Sequence, residues 1–452
     1  MTETPLELEQ RLDENHFLIR FADLGGTYVL RLFPFAAFKL DGEFTVPDVL
    51  AQLPAPISNG ESVGLGPGLI YQPLLVVTTA CNLACSYCYA HRGSYGLKQA
   101  NMSPKVVEQS IAFLRNRFAS NVAQLKNYEQ IEIAVVCFGG ESLLNMPAIL
   151  AAINSLKRVA TELSDSFNLR IRPLVIINTN GLLLNPEVLE ALAPDREMLE
   201  LVISCDGLYH DEHRLTSAGR NTLQEVISRV REAQRRNFKV RITCCVMPEK
   251  LGMVKRNVAF LTELFGPEIE INLSFIRGAV PTVQERAIYP GQLQQAYRME
   301  ELARFGRDVA DLIRGGCNLY ADKIERLIRA GGFKHRCAAC LYEFCVMPSG
   351  AVYPCHNFVS EDFCLGNIQH PEFQPEGRAD IYGRFATRRT DCLAKCRDCS
   401  FQTICSGSFD CPSHSLFDLG DFNRVDEKTC IAGRFIIAAV LRRFLESTKV
   451  EL

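Results

Sequence analysis

From residue 72 the chain alternates between short apolar, β-branched runs and longer amphipathic stretches. Runs at 74–79, 131–138, 174–178, 199–204, 240–246 and 270–275 predict six strands. Apolar residues at helical spacing predict helices between them, over 104–118, 147–163, 186–192, 222–237 and 255–265. Ser103-Pro104 and Asn185-Pro186 mark two of the starts. Each is a capping side chain followed by proline in the first turn, where a missing N–H costs nothing. Parallel neighbours need a long crossover, so strands alternating with helices predict a parallel sheet. Periodicity alone does not choose between an open doubly wound sheet and a partial barrel.

The first 70 residues read differently. A helix is expected over 5–13, and strand-like runs at 16–21 and 27–33 flank Asp23-Leu-Gly-Gly26 as a hairpin. Residues 54–68 are rich in Pro and Gly and read as a linker. Gly64, Gly66 and Gly68 make no dinucleotide loop, because Pro67 interrupts them and no amphipathic helix follows. This small α+β module either holds a substrate peptide by strand addition or covers one end of the main domain. The expected division is 1–70, 71–315 and 316–452.

The 452 residues are 47% hydrophobic, enough for two or three cores. A net charge of −3 offers no basic surface for nucleic acid. No apolar run reaches the ~20 residues that span a bilayer. The polar, acidic start is not a signal peptide, so a cytoplasmic protein is expected. Nineteen cysteines in such a chain point to metal rather than disulfides. Eleven of them lie from Cys337 to Cys430, and three form a tight motif after the first strand. Cys137, Cys205, Cys244, Cys245 and Cys317 sit mostly in apolar runs and read as small core hydrophobes.

That motif is Cys81-Asn-Leu-Ala-Cys85-Ser-Tyr-Cys88. Three thiolates fill three corners of an iron–sulfur cluster and leave one iron open. An open position points to chemistry at that iron rather than simple electron transfer. Three more strand ends carry polar motifs: Phe138-Gly139-Gly140-Glu141-Ser142, Asn178-Thr179-Asn180-Gly181 and Ser204-Cys205-Asp206-Gly207. Ligands of parallel α/β folds bind at the carboxyl ends of strands, so four such ends predict one shared site. Gly139 and Gly140 allow close backbone approach to a ligand. Glu141 accepts hydrogen bonds, and Thr179, Asn180, Ser204 and Asp206 suit hydroxyl groups or tight turns. Past residue 333, Ser349-Gly350 predicts a hairpin turn that brings Cys337 and Cys355 together. Cys396-x2-Cys399-x5-Cys405, Cys411 and Cys430 follow. A zinc-binding domain is the alternative for this region.

The Cys81–Cys88 spacing, with Tyr87 before its third cysteine, resembles the radical S-adenosylmethionine (SAM) enzymes. Residues 337–430 resemble the SPASM extension of that family. The resemblance implies a partial (β/α)6 TIM-like barrel with a cysteine-rich SPASM domain. It implies a four-iron cluster on Cys81, Cys85 and Cys88. S-adenosyl-L-methionine would bind the open iron and give a 5′-deoxyadenosyl radical. Tyr87 would pack beside adenine, and Glu141 would take the ammonium. Arg214 would hold a carboxylate or be a surface cation. Two auxiliary clusters would make three in all. Cys337, Cys355 and Cys411 would bind the first, with Cys340, Cys345 or the substrate as fourth ligand. Cys396, Cys399, Cys405 and Cys430 would bind the second, closed by a last helix over 431–445.

Three departures stand out: Ser142 replaces the usual Pro, five residues rather than three precede Cys411, and His356 replaces an Asp base of the sulfatase-maturating branch. His356 is either a proton acceptor or structural. Cys392-x3-Cys396-x2-Cys399 repeats the opening spacing, but no strand precedes it and no Gly-Gly-Glu follows, and Cys364 and Cys392 have no assigned role. Tyr89-Ala-His-Arg-Gly-Ser-Tyr-Gly96 is similar to maturases of cysteine-rich or crosslinked peptides. The expected reaction is therefore hydrogen abstraction from a side chain of a ribosomal peptide, giving a thioether or carbon–carbon crosslink or an oxidised residue. A formylglycine-forming sulfatase maturase is the alternative, and a non-catalytic iron–sulfur or zinc protein that binds a partner is the reading from another class. A flavodoxin or ferredoxin is the expected electron donor.

Overall fold

The computed structural model describes residues 6–11, 16–21, 26–31, 36–40, 72–125, 130–276, 298–319, 337–389, 392–397, 399, 401, 405 and 411–447. Strands β1 (Leu6–Arg11), β2 (His16–Phe21), β3 (Gly26–Arg31) and β4 (Ala36–Leu40) form an antiparallel meander. The helix expected over 5–13 is instead β1. Its Leu-Glu-Leu-Glu start alternates with a period of two, the sequence pattern of a strand rather than of a helix. The turn at 23–25 and the linker at 54–68 lie outside the described residues.

The second sheet has nine strands. Six follow the predicted pattern: β5 (Gln72–Thr78), β6 (Gln130–Gly139), β7 (Arg170–Thr179), β8 (Leu199–Ser204), β9 (Lys239–Val246) and β10 (Glu270–Phe275). They are parallel neighbours in chain order. The crossovers carry α1 (Pro104–Asn121), α2 (Met146–Phe167), α3 (Pro186–Leu192), α4 (Leu223–Arg235) and α5 (Val254–Phe265). Both predicted starts are capped: the Val106 N–H donates to Ser103 Oγ at 3.4 Å and the Val188 N–H to Asn185 Oδ1 at 2.9 Å.

Of the other three strands, two flank the Ser349-Gly350 turn, where short strands were expected; their place in the main sheet was not foreseen. β11 (Glu343–Val346) pairs in parallel with β5, and β12 (Ala351–Tyr353) and β13 (Gly366–Asn367) follow it antiparallel. The cysteine-rich segment thus extends the main sheet. Behind it, α6 (Met299–Arg314), also unforeseen, packs on the last helix, α7 (Glu427–Ser447). The axes are close at Gly306, where a Cβ would lie 2.7 Å from the Ala432 Cα. Among the described residues, no helix is long and apolar enough to cross a membrane.

Each strand divides its residues between two faces. On β6, Ile131, Ile133, Val135 and Cys137 are fully buried and join the main core with α1 and α2. Glu132, Ala134, Val136 and Phe138 alternate with them on the opposite face and are half-buried. That face carries ion pairs toward the starts of the strands. Glu200 on β8 is fully buried and pairs with Lys239 (2.8 Å) and Arg241. Arg241 reaches Glu270 on β10 at 3.0 Å. A buried carboxylate is tolerable when cations of this kind face it; without it, Arg241 keeps Glu270 and Lys239 reaches water. Glu200→Ala is therefore expected to destabilise the fold by about 1–3 kcal/mol, through lost bonds and an unfilled site. A thermal or denaturant unfolding midpoint close to wild type would contradict this.

Candidate functional site

The cysteine loop leaves the carboxyl end of β5 and is held by backbone on both sides. The Ala84 N–H donates to Leu215 O at 2.8 Å and the Ser86 N–H to His213 O at 3.1 Å. The Gly140 N–H donates to Thr78 O at 3.0 Å and the Glu141 N–H to Ala80 O at 2.9 Å. The two glycines were expected to meet a ligand. Each is also required by the chain itself: a Cβ would lie 2.3 Å from Thr78 O at Gly139 and 2.2 Å from Ala80 O at Gly140. The thiols of Cys81, Cys85 and Cys88 are half-buried. Burial pushes Cys81 and Cys85 up to about 11, so loading them with metal must expel protons.

Glu141 is buried, and its carboxylate already accepts three bonds. These come from Leu143 N–H (3.0 Å), Thr179 O–H (2.7 Å) and Asn180 N–H (2.7 Å). It thereby clamps the end of β6 to the end of β7. A carboxylate has about four acceptor positions, so one remains for a ligand donor. Asn180 in turn donates to Asn82 Oδ1 of the cysteine loop at 2.7 Å.

Asp206 is fully buried at the end of β8. Its Oδ2 accepts from the Tyr87 hydroxyl and from Arg214 Nε (2.8 Å), and its Oδ1 from the Cys245 N–H (2.8 Å). Arg214 is therefore not a surface cation: it is 7% exposed, pairs with Asp206, and stands 5.4 Å from the Tyr87 ring centre. Ser204 is half-buried, and its hydroxyl has no partner among the described residues. Cys137, Cys205 and Cys244 are core residues as expected. Cys317 and Cys245 are half-buried, and Cys245 has its Sγ 3.6 Å from Arg214 Nη2, beside the site. Its place on a strand end was the signal available in the sequence.

In the cysteine-rich region the Ser349-Gly350 turn forms, with Gly350 at φ +83°. Burial and the nearby Cys337 thiol both raise the Cys355 thiol, which fits the expected proximity of the two. Cys345 is fully buried among Leu74, Val76 and Tyr95, and Cys340 is fully buried with a left-handed backbone (φ +66°). Cys411 precedes the short helix Pro412–Phe417, its Sγ 3.0 Å from Ser413 Oγ. His356 stacks between Phe138, at the end of β6 (5.1 Å), and Tyr89, next to Cys88 (5.6 Å). Cys392 is exposed, and Cys364 donates to Gly366 O at 3.6 Å.

Cys396, Cys399, Cys405 and Cys430 line one cavity of about 290 Å³. Among the described residues, no three His, Cys, Asp or Glu side chains converge as a single metal ion requires. A four-iron cluster carries its thiolates on separate irons and so fits a wider cage of this kind.

His210 fixes the turn after β8. Its Nδ1 accepts the Asp206 N–H at 3.1 Å, and its Nε2 bonds Thr222 Oγ1 at 3.0 Å. Burial, with Arg214 nearby, lowers its pKa from 6.5 to about 4. Between those values the unfolded chain binds a proton that the folded one refuses, so stability falls as pH drops through that window. The full loss is about 3 kcal/mol. His210→Asn, which keeps an acceptor for the Asp206 N–H, is expected to flatten the decline in unfolding midpoint between about pH 7 and pH 5. An unchanged slope would contradict this.

Residues 75–261 match the Radical SAM superfamily. The cysteine-type anaerobic sulfatase-maturating enzyme of Clostridium novyi is 20% identical over 338 residues, 72% of this chain and 83% of its own. The radical SAM cyclopropyl synthase TigE of Paramaledivibacter caminithermalis is 20% identical over 379 residues, 82% and 73%. Among solved structures, AdoMet-bound anSMEcpe superposes with a TM-score of 0.64 at 18% identity, covering 83% of this chain and 98% of that one. Streptococcus suis SuiB gives 0.50 at 14% identity, covering 93% and 100%. The family match runs from within β5 to α5 and so includes the cysteine loop. Residues 75–261 form a radical SAM domain.

Proposed function

We propose that this enzyme modifies a side chain of a ribosomally made peptide, removing hydrogen to form a thioether or carbon–carbon crosslink or an oxidised residue. The observation that carries this reading is the pairing of β11 with β5, which seats Cys355-His356 beside the loop that follows Cys88. This contact supports a reading in which the cysteine-rich region would hold substrate near the cysteine loop.

Cys81, Cys85 and Cys88 would hold a four-iron cluster. When bound, that cluster and S-adenosyl-L-methionine supply one-electron cleavage of a carbon–sulfur bond and a primary carbon radical that abstracts hydrogen. The chain's own residues position and shield. Glu141 keeps one acceptor position for an ammonium group, and the Ser204 hydroxyl is open to a ribose hydroxyl. Tyr87, locked by Asp206, offers a ring face, and Arg214 sets a positive charge near Cys85. His356 can take a proton from a substrate group near neutral pH. Cys337, Cys355 and Cys411, with Cys340, Cys345 or substrate as a fourth ligand, would bind the first auxiliary cluster. Cys396, Cys399, Cys405 and Cys430 would bind the second. Among the described residues β1 and β4 are the edges of the meander, and either could take a leader peptide by strand addition. A flavodoxin or ferredoxin would supply electrons, in the cytoplasm.

Formylglycine formation in a sulfatase is the second reading, favoured by the names of several relatives. His356 in place of the expected Asp weighs against it. The products separate the two. A crosslinked peptide loses two hydrogens and ignores hydrazine reagents, whereas a formylglycine product captures them.

Iron and sulfide are each expected at about twelve per chain, for three four-iron clusters. About four would remove both auxiliary assignments. Cys81→Ala, Cys85→Ala or Cys88→Ala is expected to lower 5′-deoxyadenosine formation at least about a hundredfold, as loss of a direct metal ligand should. Retained turnover in these variants would overturn the proposal.

A further inference from the structure

The cavity that gathers Cys396, Cys399, Cys405 and Cys430 is also lined by two cations, Lys395 and Arg434. They differ in one respect. Lys395 pairs with Glu427, so its charge is balanced. Arg434 has no carboxylate partner among the described residues, and its Nε is buried without an acceptor. Its Nη2 points at a sulfur, 3.6 Å from Cys399 Sγ.

Arg434 lies one helical turn beyond Cys430 on α7. Residues four apart share a helix face, so the same face delivers a thiol and a guanidinium to the cavity. Gly433 between them lines the wall without filling it. A guanidinium with a buried, unpartnered nitrogen is costly unless it faces negative charge. Four thiolates around a cluster are such a charge.

We propose that Arg434 donates an N–H···S bond to Cys399 and raises the reduction potential of the cluster held in this cavity. The inference rests on reading the four-cysteine cavity as a cluster site. Reduction adds one electron, taken from a low-potential donor, and no proton or leaving group moves. The added negative charge sits beside the guanidinium, so the reduced form gains more from Arg434 than the oxidised form does. Arg434 is a positioning and tuning residue that meets the cluster through its ligand.

The test reconstitutes wild type, Arg434→Gln, Arg434→Lys and Cys405→Ala anaerobically. Iron is counted, and each protein is titrated with dithionite through mediators while its EPR signals are followed. Cys405→Ala is expected to lose the iron of one cluster, which shows that the cavity holds one. Unchanged iron in that variant would overturn both the cluster reading and the inference. Arg434→Gln is expected to keep its iron and to need a lower potential, by at least a tenfold change in the reduced-to-oxidised ratio, or 59 mV for one electron. Arg434→Lys keeps the charge but loses the fork and is expected to fall between the two. The signal that depends on Cys81, Cys85 and Cys88 should not move. A fully loaded Arg434→Gln protein with the wild-type potential would overturn the inference alone. Should the Gln variant lose its cluster, an unshifted Lys variant overturns it equally.

Discussion

One buried carboxylate, Asp206, fixes the geometry on which the site depends. It bonds Tyr87 from the cysteine loop, Arg214 from the segment after β8, and the backbone of β9. Three separate pieces of chain therefore meet at one residue with no exposed surface. A buried charge pair of this kind adds little net stability compared with apolar packing, but breaking it leaves an uncompensated charge. Its value is positional. Residues 213–216 hold the cysteine loop by backbone bonds, and Arg214 anchors that segment to the end of β8. Glu141 does the same on the other flank, joining the ends of β6 and β7. Two carboxylates thus brace the loop that carries Cys81, Cys85 and Cys88.

Much of this was legible in the sequence, for identifiable reasons. The six parallel strands were visible because buried β-branched runs alternate with long amphipathic ones, and proline after a capping residue marked two helix starts. The meander's first strand was misread because Leu6-Glu-Leu-Glu-Gln-Arg is short and charged, and helix formers there outweighed a period of two. The extension by β11 was hidden because four residues carry no periodic signal; their pairing with β5 is a tertiary choice. The candidate site residues were singled out by type and position, but their partners were not. Gly139 and Gly140 face backbone, and Glu141, Asp206 and Arg214 mostly bond each other's segments. Residues that pack a loop and residues that touch a ligand look the same when both lie at strand ends.

The cysteine-rich region shows the same distinction. The family resemblance grouped Cys396, Cys399, Cys405 and Cys430, and the fold gathers those four around one cavity, with the last delivered by the final helix. Spacing also linked Cys337 to Cys355, and the hairpin supports it. It could not show that this hairpin adds to the main sheet, and that addition is what brings His356 against Phe138 and Tyr89. The result is that His356 lies against the end of β6 and the residue after Cys88.

The central claim is that Cys81, Cys85 and Cys88 hold a cluster with an iron open to S-adenosyl-L-methionine. EPR of the reduced protein, recorded with and without S-adenosyl-L-methionine, tests it most directly. The account predicts that one cluster signal changes on addition, and that this responsive signal is missing from Cys85→Ala while the auxiliary signals persist. Spectra that are identical with and without S-adenosyl-L-methionine would contradict it.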